Sequence, residues 1–160
     1  MAARALATIL AGSLLAAALQ KESLFRLRVG NTKADLVIVF IGCCSILWGI
    51  RGGLLSGAVA GVLQALSQGA GMGSIIASRT LTGYAVARAG TALNPEQVLM
   101  AAPVAFAATV FCEFVYYVFN PWLAFAGWAR VVAGEAVFNA GLALVVHWLL
   151  LHVGGRRRVR

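Results

Sequence analysis

Long apolar runs, interrupted by glycine, proline and single charges, constrain this chain more than any motif it carries. Of its 160 residues 61% are hydrophobic and 11% charged, with a mean hydropathy of +0.89. Soluble domains hold about 45–50% apolar and about 25% charged residues. The composition excludes a water-soluble globule, a disordered tail and a disulfide-stapled secreted domain. The runs read as an all-α integral membrane bundle of six segments, 5–19, 34–50, 52–67, 74–89, 98–119 and 131–153, with a basic tail over 154–160. A spanning helix takes about 20 apolar residues. Six of them use most of the chain, so the reading is one transmembrane domain with no separate catalytic domain. Segments 5–19, 52–67 and 74–89 are short and call for tilt or local thinning of the bilayer. The first segment follows Arg4 and contains Ala16, Ala17 and Ala18; it reads either as a retained span or as a cleavable signal peptide.

Thirteen basic residues against five acids give a net charge of +8. The positives sit in short loops and in the tail (Arg156, Arg157, Arg158 and Arg160), so no continuous basic face is left for nucleic acid. Beside apolar helices such charges set topology and contact anionic membrane lipids. An even number of spans puts both termini on one side. With the termini inside, Arg4, Arg51, Arg88 and the tail arginines are cytoplasmic, and Lys21, Arg26, Arg28, Lys33 and Arg130 lie outside. That bias favours cytoplasmic termini. Trp122 and Trp128 flank the turn after Asn120 and Pro121, as interfacial anchors would. The linker 20–33 mixes apolar and basic residues, and reads either as a solvated loop or as a stretch lying in the headgroup region.

Alanine and glycine together make nearly a third of the chain. Lipid supplies no hydrophobic drive for helix association, so close approach through small residues must supply packing energy. Gly53, Gly57 and Gly61 form two overlapping GxxxG steps on one face, and Ala3, Ala7 and Ala11 repeat the spacing on the first segment. Within the apolar runs an ionisable side chain costs at least about 2.5–3.5 kcal/mol unless it finds a partner or water. Arg79, Glu113 and Glu135 stand out for that reason. Thr109, Cys112, Glu113, Tyr116 and Asn120 share a helical face, as do Glu135 with Asn139 and Gln64 with Gln68. The candidate polar interior is therefore Gln64, Arg79, Glu113, Tyr116, Glu135 and Asn139. Two readings stand: a ligand cavity or ion path, or a buried pair of Arg79 with Glu113 or Glu135 that orients helices. His147 and His152 are five apart with no third ligand, and Cys43, Cys44 and Cys112 read as small buried hydrophobes, so neither a metal site nor another cofactor is expected. HExxH, GxSxG and phosphate-cradling motifs are missing, and catalytic residues are not assigned.

The order Ala34-Asp35, an apolar helix, Arg51-Gly52-Gly53, Gly57, Gly61-Val62-Leu63-Gln64, Gly69, Gly73 and Gly83-Tyr84 resembles the bacterial rod shape-determining MreD family. The stretch Glu135-Ala136-Val137-Phe138-Asn139-Ala140 is similar to that family's last helix. The resemblance covers residues 34–90 and 131–153. The chain departs from the family at Ala34, where proline is usual, and at Ala65, where an aspartate is usual. The resemblance implies a six-helix fold similar to the substrate-binding (S) components of energy-coupling-factor (ECF) transporters. It also implies non-catalytic work in the inner membrane, in the machinery of lateral peptidoglycan synthesis. Its implied partners are an MreC-like protein, an MreB-like cytoskeleton, a RodA-like glycosyltransferase and a class B penicillin-binding transpeptidase. The rival function, from the shared fold, is capture of a vitamin-like small molecule for an ATP-driven transporter.

Overall fold

Asp35 begins the central helical element of the bundle. Its Oδ1 accepts from Ile38 N at 3.0 Å, a side-chain cap on one of the N–H groups that a helix start leaves unpaired. In the computed structural model, which describes residues 3–21, 28–29, 32–69, 71–121 and 124–153, five helices follow in order. They are α1 (Ala3–Lys21), α2 (Leu36–Gln68), α3 (Met72–Ala89), α4 (Ala101–Phe119) and α5 (Phe125–Val153). Two short strands, β1 (Arg28–Val29) and β2 (Thr32–Lys33), pair antiparallel ahead of α2. One-turn 3-10 helices at Gly90–Ala92 and Val98–Met100 bracket the α3–α4 connection. Residues 154–160, most of the α1–β1 stretch and Trp122 lie outside the described residues.

Among the described residues four helical stretches are long and apolar enough to cross a membrane: Ala3–Gln20, Leu36–Gln68, Val98–Phe119 and Phe125–Val153. The expected count of six separate spans is corrected at two places. Segments 34–50 and 52–67 belong to one 33-residue element, and segment 74–89 lies within α3, an 18-residue helix with Arg79 buried in it. The element α2 is not straight. Gly49 sits inside it at φ 64° and ψ −155°, a backbone conformation open in practice to glycine alone. In a straight helix Asp35 and Gln64 would be about 43 Å apart, yet both bond the guanidinium of Arg79. The chain therefore reverses at Gly49 into two arms, 36–48 and 50–68.

The first arm is the centre of the bundle, with every residue from Val37 to Leu47 buried. Its core neighbours include Ile9 and Ala16 of α1, Ala101 and Ala105 of α4, and Ala143 and Leu150 of α5. The second arm packs against α3 with almost no side chain between them. A Cβ on Gly53 would run into the Gly83 carbonyl, and one on Gly83 into that of Gly53. A Cβ on Gly57 would lie 2.9 Å from Thr80 Cα, and one on Gly61 3.2 Å from Ile76 Cα. The GxxxG face thus lies along a seam of backbone on backbone, the contact that small residues permit. Ser45 Oγ of the first arm reaches Gly83 O at 3.1 Å beside the seam, as well as Ile41 O at 2.8 Å. On α1, Ala3, Ala7 and Ala11 are exposed and carry no such seam; the close approach there is Gly12 against the Phe40 ring.

Gly83→Leu should cost about 3 kcal/mol in thermal unfolding of the detergent-solubilised protein, the scale of overpacking a tight core. Gly73→Leu, where a Cβ meets nothing within 4 Å, should change stability by no more than about 0.5 kcal/mol. Equal losses would contradict the seam.

Candidate polar site

Arg79 lies near the middle of α3 and is 5% exposed. A guanidinium has five N–H donors in a fixed fork, and each of its three nitrogens has a partner. Nε donates to Gln64 Oε1 at 2.9 Å. Nη1 donates to Ser78 Oγ and to Cys112 Sγ, both at 3.2 Å. Nη2 donates to Asp35 Oδ2 at 3.0 Å and faces Glu113 Oε1 at 3.7 Å. One side chain thereby ties α3 to both ends of α2 and to α4.

A second chain of bonds closes the layer from the α5 side. Asn139, fully buried, accepts from Asp35 N at 2.9 Å and donates to Thr109 Oγ1 at 3.1 Å. Thr109 passes its proton to Ala105 O within α4. Gln20 of α1 accepts from Val37 N at 3.1 Å. The buried start of α2 thus has three of its backbone donors met by side chains, from α1, from α5 and from its own cap. A helix end inside an apolar bundle has no water to turn to, so such partners are obligatory.

The remaining sequence candidates fall around this layer. Tyr116 is half-buried with its hydroxyl near Gly71, in the α2–α3 turn, and Asn120 donates to Ser74 Oγ at 2.9 Å at the same end. Glu135 does not pair with Arg79; it sits against Lys33 of β2, within electrostatic reach of Glu113 and Asp35. The acid that takes Arg79 most closely is Asp35, which sequence reasoning placed at a segment boundary and left out of the polar interior. Its signal was present, since an aspartate just before an apolar run is a helix N-cap. Once the chain folds back at Gly49, that cap stands beside the middle of α3.

Trp128 is likewise corrected. It is 5% exposed, stacked on Phe125 with ring centroids 5.3 Å apart and edge-on to Phe114 at 6.2 Å. It packs α5 against α4 rather than anchoring in the interface. Cys43 and Cys44 are buried, and Cys112 is an acceptor for Arg79. His147 is buried with Nε2 at 3.0 Å from Pro95 O. Among the described residues no group of three His, Cys, Asp or Glu is placed to hold a metal ion.

Three of the chain's five acids (Asp35, Glu113 and Glu135) gather here with Arg79 and Lys33. The layer lies about 10 Å from the α2–α3 turn, counting from Met72 to Arg79 at the helical rise. Gly49, Arg51 and Arg88 mark the other end of the bundle, and the antiparallel run of α1 places Arg4 there too. No known protein family, curated protein or solved structure matches the chain.

Arg79→Lys keeps the charge but offers three donors on one atom where four hydrogen bonds leave three nitrogens. It should destabilise the protein by about 2–4 kcal/mol through the buried acceptors left unpaired. Asn139→Leu should cost about 1–3 kcal/mol, because Asp35 N–H then has no acceptor. Unfolding in detergent measures both; a wild-type melting temperature in either variant contradicts the network.

Proposed function

We propose that the chain is an MreD-like, non-catalytic scaffold of the bacterial cell-elongation machinery. It is embedded in the inner membrane through its long apolar helices, with both termini cytoplasmic. It binds an MreC-like protein and helps position a RodA-like glycosyltransferase and a class B penicillin-binding transpeptidase beside an MreB-like cytoskeleton. The observation that carries this reading is the pairing of Arg79 within the chain. Its three nitrogens make four hydrogen bonds to groups of the chain itself, and Glu113 stands 3.7 Å from Nη2, so a polar solute binding there would compete with existing contacts. An internally paired site suits a rigid docking body better than a capture site.

Two further facts support it. Of the residues that carry the family resemblance, Asp35, Gly53, Gly57, Gly61, Gln64, Gly83 and Asn139 are joined by the fold into one seam and one polar layer, while Gly69, Gly73 and Tyr84 are exposed outside them. Exposed Arg4, Arg51 and Arg88 lie toward one end, and with the four tail arginines of the sequence they outnumber the basic residues of the other end seven to five, the bias that the positive-inside rule reads as cytoplasmic.

Tagged protein taken from native membranes in mild detergent should retain the MreC-like protein and the two wall-synthesis enzymes, identified by mass spectrometry. Retention of an ATPase pair with its transmembrane coupling subunit would replace this reading with the ECF substrate-binding one.

A further inference from the structure

We propose that the outer face of α3 and the second arm of α2 seats an anionic phospholipid, with its phosphate held between Arg51 and Arg88. Both arginines are exposed and neither has an ion-pair partner among the described residues. The antiparallel seam sets their register. Gly53 faces Gly83, Gly57 faces Arg79 and Thr80, and Gly61 faces Ile76. Continued two residues further, that register puts Arg51 opposite Ala85, so Arg88 is one helical turn beyond, about 4.5 Å along the axis. Because the seam is made of glycine backbone, the two helices lie close, and two long, exposed side chains one turn apart on neighbouring helices are placed for one phosphate to bridge them.

Beneath each arginine runs an exposed apolar stripe. On the α2 arm it is Leu54 (38% exposed), Val62 and Leu66 (62%). On α3 it is Tyr84 and Leu81, four and seven residues before Arg88 and so on its face. Both stripes point away from the buried residues of their helices, Ser56, Ala60 and Gln64 on one and Ser78, Thr82 and Val86 on the other. The face therefore offers acyl-chain contacts along its length and two uncompensated positive charges where the apolar surface ends. A headgroup with a net negative charge answers both; a zwitterionic one brings its own cation to two arginines. Arginine also matches phosphate in geometry, through paired N–H donors.

The test is native mass spectrometry of the full-length protein in neutral detergent, titrated with dioleoylphosphatidylglycerol or dioleoylphosphatidylcholine. The wild type should prefer phosphatidylglycerol. Arg88→Gln should weaken that binding about fivefold and Arg51→Gln/Arg88→Gln about 30-fold, the loss that about 1 kcal/mol per basic residue implies. Arg51→Lys/Arg88→Lys should keep most of the preference. Arg130→Gln, at the opposite end of the bundle, should leave it unchanged. Wild-type phosphatidylglycerol binding by the double glutamine variant would overturn the proposal. So would equal affinity for the two lipids, or displacement of the lipid by millimolar inorganic phosphate, which would reduce the site to a headgroup-charge effect with no seat for the chains.

Discussion

A buried guanidinium in an apolar bundle must be paired, and the fold is arranged around that requirement at Arg79. Removing one partner of such a pair leaves an isolated charge and costs about 3–5 kcal/mol. The chain meets the demand by bringing Asp35, the cap of its central helix, within 3.0 Å of Nη2, while Gln64, Ser78, Cys112 and Glu113 surround the rest of the fork. Asp35 in turn serves two structures at once: one oxygen caps α2, and the other holds α3. Its own N–H is held by Asn139 of α5. Four helices thus share one polar layer, and α1 joins it through Gln20.

That layer depends on a turn made elsewhere. Only if the chain reverses at Gly49 do Asp35 and Gln64 come to the same guanidinium, and only a residue tolerant of positive φ makes the reversal without strain. The same reversal lays the second arm along α3, where Gly53, Gly57, Gly61 and Gly83 let backbones touch. The glycines and the ion pair are therefore parts of one device: the glycines bring the helices close, and the pair holds them there. The seam sets the level at which the backbones can touch. A polar contact that is costly when missed reinforces that register.

Much of this was legible in the sequence. Lipid demands long apolar runs, so helical content and a membrane bundle followed from hydropathy, and polar residues inside those runs singled out Gln64, Arg79, Glu113 and Asn139. Helical spacing also grouped Thr109, Cys112, Glu113, Tyr116 and Asn120 along one face of α4, and those residues do meet α3 and α5 or the turn beside them. What escaped was long-range geometry. Local periodicity cannot say that Asp35 returns to Arg79, nor that Glu135 turns toward Lys33 instead. Gly49 looks no different in sequence from Gly52 and Gly53; only its dihedral angles separate it from them. Trp128 was misplaced because an aromatic residue near a turn fits an interfacial belt and an inter-helix cluster equally well, and only the position of Phe114 and Phe125 decides.

The central claim, that Asp35 and Arg79 stabilise the bundle as a pair, is tested most directly by a double-mutant cycle of Asp35→Asn and Arg79→Met in detergent unfolding. Asparagine keeps the helix cap while removing the charge, so the cycle isolates the ionic contact. The pair predicts that each single change is strongly destabilising and that the double variant loses less than their sum by about 2 kcal/mol or more. Additive losses, within about 0.5 kcal/mol, would contradict it and leave Arg79 held by Glu113 and its neutral partners.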